Sequence, residues 1–167
     1  MSQLQKEQKL DFGEIATVSF FALAVLLFIV VLIFGNAKGA SGTVVKDRDL
    51  VIQISEVSEK ASFYPVEIKG TRLEVLAVRA SDNTVRTAFN TCQVCYGSGR
   101  GYYIQEGDVL VCQNCGNRFK RDEVEVTRGG CNPVPITEEF KTVTDTSITI
   151  SKEFLAKAKI IFANWKS

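Results

Sequence analysis

The chain has 167 residues, 20 of them Lys or Arg and 19 Asp or Glu, for a formal net charge of +1, and it contains no histidine. So even a balance carries no electrostatic footprint for nucleic acid. The lack of histidine excludes mixed cysteine–histidine zinc sites and a C-x-x-C-H haem attachment, and the length suits one domain with an appendage.

Met1 to Glu14 is polar and mixed in charge, and reads as a short tail. Ile15 to Phe34 then gives twenty residues without a charge, proline or glycine. At about 1.5 Å per residue this run matches the hydrocarbon core of a bilayer and predicts a single transmembrane helix. It is apolar all the way round, and it exceeds the h-region of a usual cleavable signal peptide. Lys6 and Lys9 stand before it and Lys38, Lys46 and Arg48 after it, so the positive-inside rule does not orient it. A short tail ahead of one early span predicts a signal anchor in the cell membrane. The C-terminal domain is then expected on the extracytoplasmic side, an oxidising space. Residues 35–42, GNAKGASG, are small and flexible and read as a linker, leaving 43–167 as the folded domain.

Beyond the linker the pattern is β. Leu50 to Ile54 is a short apolar run, Phe63 to Ile68 alternates weakly, and Gly70 turns the chain into Leu73 to Val78. Ser81-Asp82-Asn83 marks a turn, and Val85 to Phe89 leads into the first cysteines. Gly101 to Gln105, a turn at Glu106-Gly107-Asp108, and Val109 to Val111 predict a hairpin. Ser147 to Ile150 predicts a last strand. Ser151 is a natural N-cap with Glu153 in the first turn. Phe154, Leu155, Ala158, Ile161, Phe162 and Trp165 follow at three- and four-residue steps, the stripe of an amphipathic helix that packs on the sheet. The expected fold class is therefore α+β: one N-terminal transmembrane helix, a small and mainly β domain with a ribbon-like four-cysteine hairpin, and a C-terminal amphipathic helix.

All five cysteines lie between Ala88 and Pro133. Cys92 and Cys95 form one C-x-x-C pair and Cys112 and Cys115 another, with sixteen residues between the pairs. Two residues between thiolates let one tight turn aim both sulfurs at a single ion, and the intervening hairpin brings the pairs together. Gly116 suits a positive-φ position that points backbone amides at a thiolate. Cys131 follows inside Gly-Gly-Cys-Asn-Pro and reads as a fifth ligand, a resolving thiol or a buried small hydrophobe. The spacing fits an all-cysteine zinc site, an iron–sulfur cluster, or two redox-active dithiols. No paired carboxylates, phosphate loop or nucleophile–base arrangement is visible, so no enzymatic activity is expected.

The run Arg86 to Phe89, Cys92-Gln-Val-Cys95-Tyr96, Gly101-Tyr102, Gln105-Glu106-Gly107-Asp108, Val111-Cys112-Gln-Asn-Cys115-Gly116-Asn117-Arg118-Phe119 and Gly129-Gly130-Cys131-Asn132-Pro133 resembles the FtrD-like family. These are membrane proteins of bacteria and archaea with iron–sulfur sites. The resemblance implies that Cys92, Cys95, Cys112, Cys115 and Cys131 supply the ligands of an iron–sulfur cluster, with [4Fe–4S] the expected type and Zn2+ the alternative. It implies a membrane-anchored electron-transfer protein, an accessory of iron uptake or another membrane redox system. Its partners would then be the lipid bilayer and a membrane permease or redox protein, with no nucleic acid. One departure is Asn90-Thr91, where the family often carries Asp-Ala. The alternative functions are a zinc-stabilised four-cysteine binding module that docks on a membrane partner, and a thiol–disulfide redox protein.

Overall fold

Runs of β-branched and aromatic residues separated by turn formers build the described residues from short strands. The computed structural model describes residues 42–167, which belong to one unit, Lys38–Ser167. The strands are β1 (Val45–Lys46), β2 (Leu50–Gln53), β3 (Ser62–Ile68), β4 (Thr71–Arg79), β5 (Val85–Cys92), β6 (Tyr103–Glu106), β7 (Val109–Cys112), β8 (Arg118–Lys120), β9 (Pro133–Pro135), β10 (Thr142–Val143) and β11 (Ser147–Ile150). One α-helix, α1 (Lys152–Lys157), follows them.

The strands form three sheets. The central one has the order β1-β3-β4-β5-β9, with β1 parallel to β3 and the other pairs antiparallel. Lys69 and Gly70, at φ +47° and +76°, make the two-residue turn from β3 to β4, the positive φ at both positions being that of a type I′ hairpin turn. A second sheet runs β10-β11-β2, and a third, the ribbon, runs β6-β7-β8.

The central sheet is covered on both faces. Along β4, Leu73, Val75 and Ala77 face one core while Leu76 and Val78 face the other, as the two-residue period of a strand requires. The first core is closed by Leu50, Ile52, Ile148 and Ile150 of the second sheet and by Leu155 and Phe162 of the C-terminal segment. The second core lies between the central sheet and the ribbon. There Leu76, Val78, Ala88 and Cys92 meet Tyr103, Leu110, Cys112 and Phe119. Three of the five cysteines thus belong to a core rather than to a surface loop.

The expected α+β class is corrected. The described residues are mostly β, with a single α-helix of six residues. No helix among them is long and apolar enough to cross a membrane. The tail (1–14), the transmembrane span expected over residues 15–34 and all but the last residue of the linker (35–42) lie outside the described residues. The C-terminal amphipathic helix is also shorter than its stripe suggests. Ser151 caps it, its Oγ accepting from the Phe154 N–H at 3.2 Å, but α-helical winding ends at Lys157 and Ala158–Phe162 is a 3-10 turn. The β-branched pair Ile160-Ile161 is poorly suited to an α-helix. Tighter winding also puts Phe162 and Trp165, three residues apart, on one side, where their rings meet edge-on at 5.5 Å between centroids. Phe162 and Phe154 each contact Phe89 of β5 at 5.7 Å, which docks the segment on the first core.

Candidate metal centre

The first cysteine of each pair is the last residue of a strand, and the second sits in the turn beyond it. Cys92 ends β5, past a register shift between Phe89 and Cys92. Its N–H donates to the Gly101 carbonyl at 2.7 Å. After Cys95 the chain winds into a short 3-10 turn, Tyr96–Ser98, whose Ser98 hydroxyl and N–H both donate to the Cys95 carbonyl. Cys112 ends β7 directly opposite Tyr103 of β6. Its N–H donates to the Asn117 carbonyl, and its carbonyl accepts from the Gly116 N–H at 2.9 Å. Gly116 at φ +73° makes that reversal possible without a Cβ clash.

Cys131 is tied to both loops. The Asn117 amide donates to its carbonyl at 2.7 Å, and Gln93 accepts from the Gly129 N–H at 2.8 Å. The sulfurs of Cys92, Cys95 and Cys112 lie within 4.8 Å of one another, and so do those of Cys95, Cys115 and Cys131. Cys95 belongs to both triads. Cys92, Cys95 and Cys112 are buried, Cys131 is half-buried and Cys115 is exposed, so the cluster runs from the second core out to solvent.

Backbone amides favour charge on two of these sulfurs, and burial and crowding oppose it on the other three. Burial works against ionisation of Cys92, yet the Tyr103 hydroxyl and the amides of Cys95 and Val94 together outweigh it and lower its pKa. The Asn117 amide is the main cause of a lowered pKa at Cys115. Burial raises Cys95 and, against the amides of Cys115 and Asn114, pushes Cys112 up to about 12. Cys131 is held at about 12, first by its contact with the Cys115 sulfur. Five thiols this close repel one another as anions, so they ionise together only when a cation shares the space. The donor set is all sulfur and suits zinc or iron.

The model of the family described as "Membrane iron-sulfur containing protein FtrD-like" matches residues 57–162. The chain belongs to the FtrD-like family. The match takes in all five cysteines and every strand from β3 to β11. No curated protein and no solved structure matches the chain.

In this FtrD-like chain two residues near the sulfurs carry weight that their place in the sequence does not announce. Asn90 clamps the ribbon to the central sheet. Its Oδ1 accepts from the Tyr103 N–H at 2.8 Å, and its Nδ2 donates to the Tyr103 carbonyl at 3.3 Å and to Glu74 Oε2 at 2.6 Å. Tyr103 is buried in the second core together with Cys92 and Cys112, near enough to Cys92 to influence its ionisation. The one sequence signal for Asn90 is the departure from Asp-Ala. The C-terminal segment braces the first loop as well: the Trp165 indole donates to the Asn90 carbonyl at 2.8 Å, and the Lys166 N–H to the Gly99 carbonyl at 2.8 Å.

Proposed function

We propose that this FtrD-like protein is a membrane-associated electron-transfer protein whose cysteines hold an iron–sulfur cluster, taken as [4Fe–4S], and that it catalyses no reaction of its own. The carrying observation is the convergence of five thiols, three of them within reach of backbone amide donors, in a chain of a membrane iron–sulfur family. Such a cluster supplies one-electron chemistry at a potential set by charge, hydrogen bonds to sulfur and solvent exposure. The residues divide that work. Cys92, Cys95 and Cys112 hold the buried side, where Leu110 and Phe119 exclude water. Cys115 and Cys131 stand on the outer side, with Val94 and Tyr96 exposed on the first loop. That outer side is where a redox partner would make contact, an iron-uptake permease or another membrane redox protein. The domain would work on the extracytoplasmic side, where bound metal protects the thiols from oxidation.

A single zinc ion is the second reading, and the compactness of the triads favours it. Sulfurs around one tetrahedral ion with bonds of about 2.3 Å stand roughly 3.8 Å apart, inside the spacing found here. The full-length protein, purified anaerobically in detergent, separates the two. The expected result is a brown protein with roughly four iron and four sulfide per chain, bleached by dithionite. Replacing the cysteines one at a time then identifies the ligands. A colourless protein with one zinc per chain overturns the electron-transfer reading.

A further inference from the structure

Tyr103 is 1% exposed, and no acceptor meets its hydroxyl at full hydrogen-bond distance and angle. Leaving a buried hydroxyl unpaired costs about 1–3 kcal/mol, a cost that phenylalanine in the same space would avoid. The groups around the oxygen explain why a tyrosine stands here. Cys92 and Cys112 share its buried cluster and Cys131 packs against that cluster, all near enough to act on the oxygen electrostatically. A thiol sulfur accepts hydrogen bonds weakly, whereas a thiolate accepts them well. The hydroxyl is therefore poorly matched to the thiol form of Cys92 and well matched to its thiolate.

The rest of the residue cannot swing away. Its N–H and carbonyl are both clamped by Asn90, and Cys112 lies opposite in the register of the ribbon. A phenol ordinarily ionises only at about pH 10, so the hydroxyl keeps its proton and remains a donor at neutral pH. The other donors to these sulfurs differ in kind. Amides of Val94, Cys95, Asn114, Cys115 and Asn117 belong to the backbone, and the Asn114 side chain approaches Cys95 from solvent.

We propose that Tyr103 is a built-in hydrogen-bond donor to the metal centre, donating to Cys92 when that sulfur is a metal-bound thiolate, and that it raises the centre's reduction potential. A donor to sulfur draws off electron density and favours the reduced, more negative state. The part concerning potential rests on the iron–sulfur reading above, while the hydrogen bond itself requires only a thiolate metal site.

The test is Tyr103→Phe in the full-length protein, with two probes. Loaded anaerobically with iron and sulfide, the variant is expected to hold as much iron as the wild type and to show a lower midpoint potential. Loaded instead with Co2+, it is expected to shift the sulfur-to-cobalt charge-transfer band to longer wavelength, because losing the donor raises the sulfur lone pairs in energy. An unchanged potential together with an unchanged cobalt band overturns the proposal. Should the wild type take up no iron and sulfide, the electron-transfer reading fails and the cobalt band alone decides. If Tyr103→Phe does not fold, a ring-fluorinated tyrosine placed at 103 is a stronger donor of the same size. It is expected to move both signals the opposite way, and no movement overturns the proposal equally.

Discussion

The two faces of the central sheet come from the same strands and do different work. On one face Val75 and Phe89 pack against Ile52, Ile150, Leu155 and Phe162, a core of aliphatic and aromatic side chains. On the other, Leu76 and Ala88 share their layer with three thiols and a tyrosine hydroxyl. The first face is self-sufficient: apolar surfaces meet apolar surfaces, and burial alone stabilises it. The second holds three thiols and a hydroxyl without a partner, so apolar burial alone does not complete it. Strand periodicity keeps these tasks on opposite sides of one sheet.

The largest expected effect is one that breaks the first face and spares the second. Phe89→Ala removes a ring that contacts both Phe154 and Phe162 at 5.7 Å, which should cost about 3–5 kcal/mol in urea unfolding. Metal per folded chain should stay at the wild-type value. A loss of metal in parallel with stability would mean that the two faces do not act separately.

A smaller effect should strike the second face. A Cβ on Gly101 would stand 2.5 Å from the Cys95 carbonyl oxygen and 2.7 Å from its carbonyl carbon, both backbone atoms. Gly101→Ala must therefore displace the first cysteine loop, and with it the Gly101 carbonyl that accepts from the Cys92 N–H. The expected loss is about 1–3 kcal/mol. It should appear chiefly as faster release of metal to a chelator, with the first core intact by near-ultraviolet circular dichroism. Metal release at the wild-type rate would show that the loop tolerates the shift.

This division of faces also explains what the sequence disclosed. Strands are local, so alternation places β3 and the hairpin of β6 and β7, and the Cys-x-x-Cys spacings are visible because each loop is closed within four residues. What joins the loops is not local. Cys131 reaches the others through Gln93 and Asn117, and Tyr103 is aimed by Asn90, thirteen residues away. No period or spacing encodes those contacts. The C-terminal stripe misleads for a related reason. A three-residue step is shared by α-helical and 3-10 winding, and the docking of Phe162 and Trp165 selects the tighter one beyond Lys157.

The smallest expected effect lies away from both cores, at the turn between β4 and β5, and sharpens the contrast by touching neither. Asp82 accepts from the Thr84 hydroxyl and N–H and pairs with Arg86. The Thr84 hydrogen bonds are the first cause of a carboxyl pKa lowered from 3.8 to about 2. A carboxylate depressed on folding stabilises the folded state fully above its unfolded pKa and loses that contribution as the pH falls through the folded one. Asp82→Asn keeps the side-chain shape and removes the charge. Wild type should therefore exceed the variant in stability above pH 3.8, and the gap should close as pH falls toward about 2. Because the carboxyl is exposed and screened by water, the gap should also shrink with added salt. A gap independent of pH and salt would assign the turn's stability to shape, leaving the charge no part in holding β4 against β5.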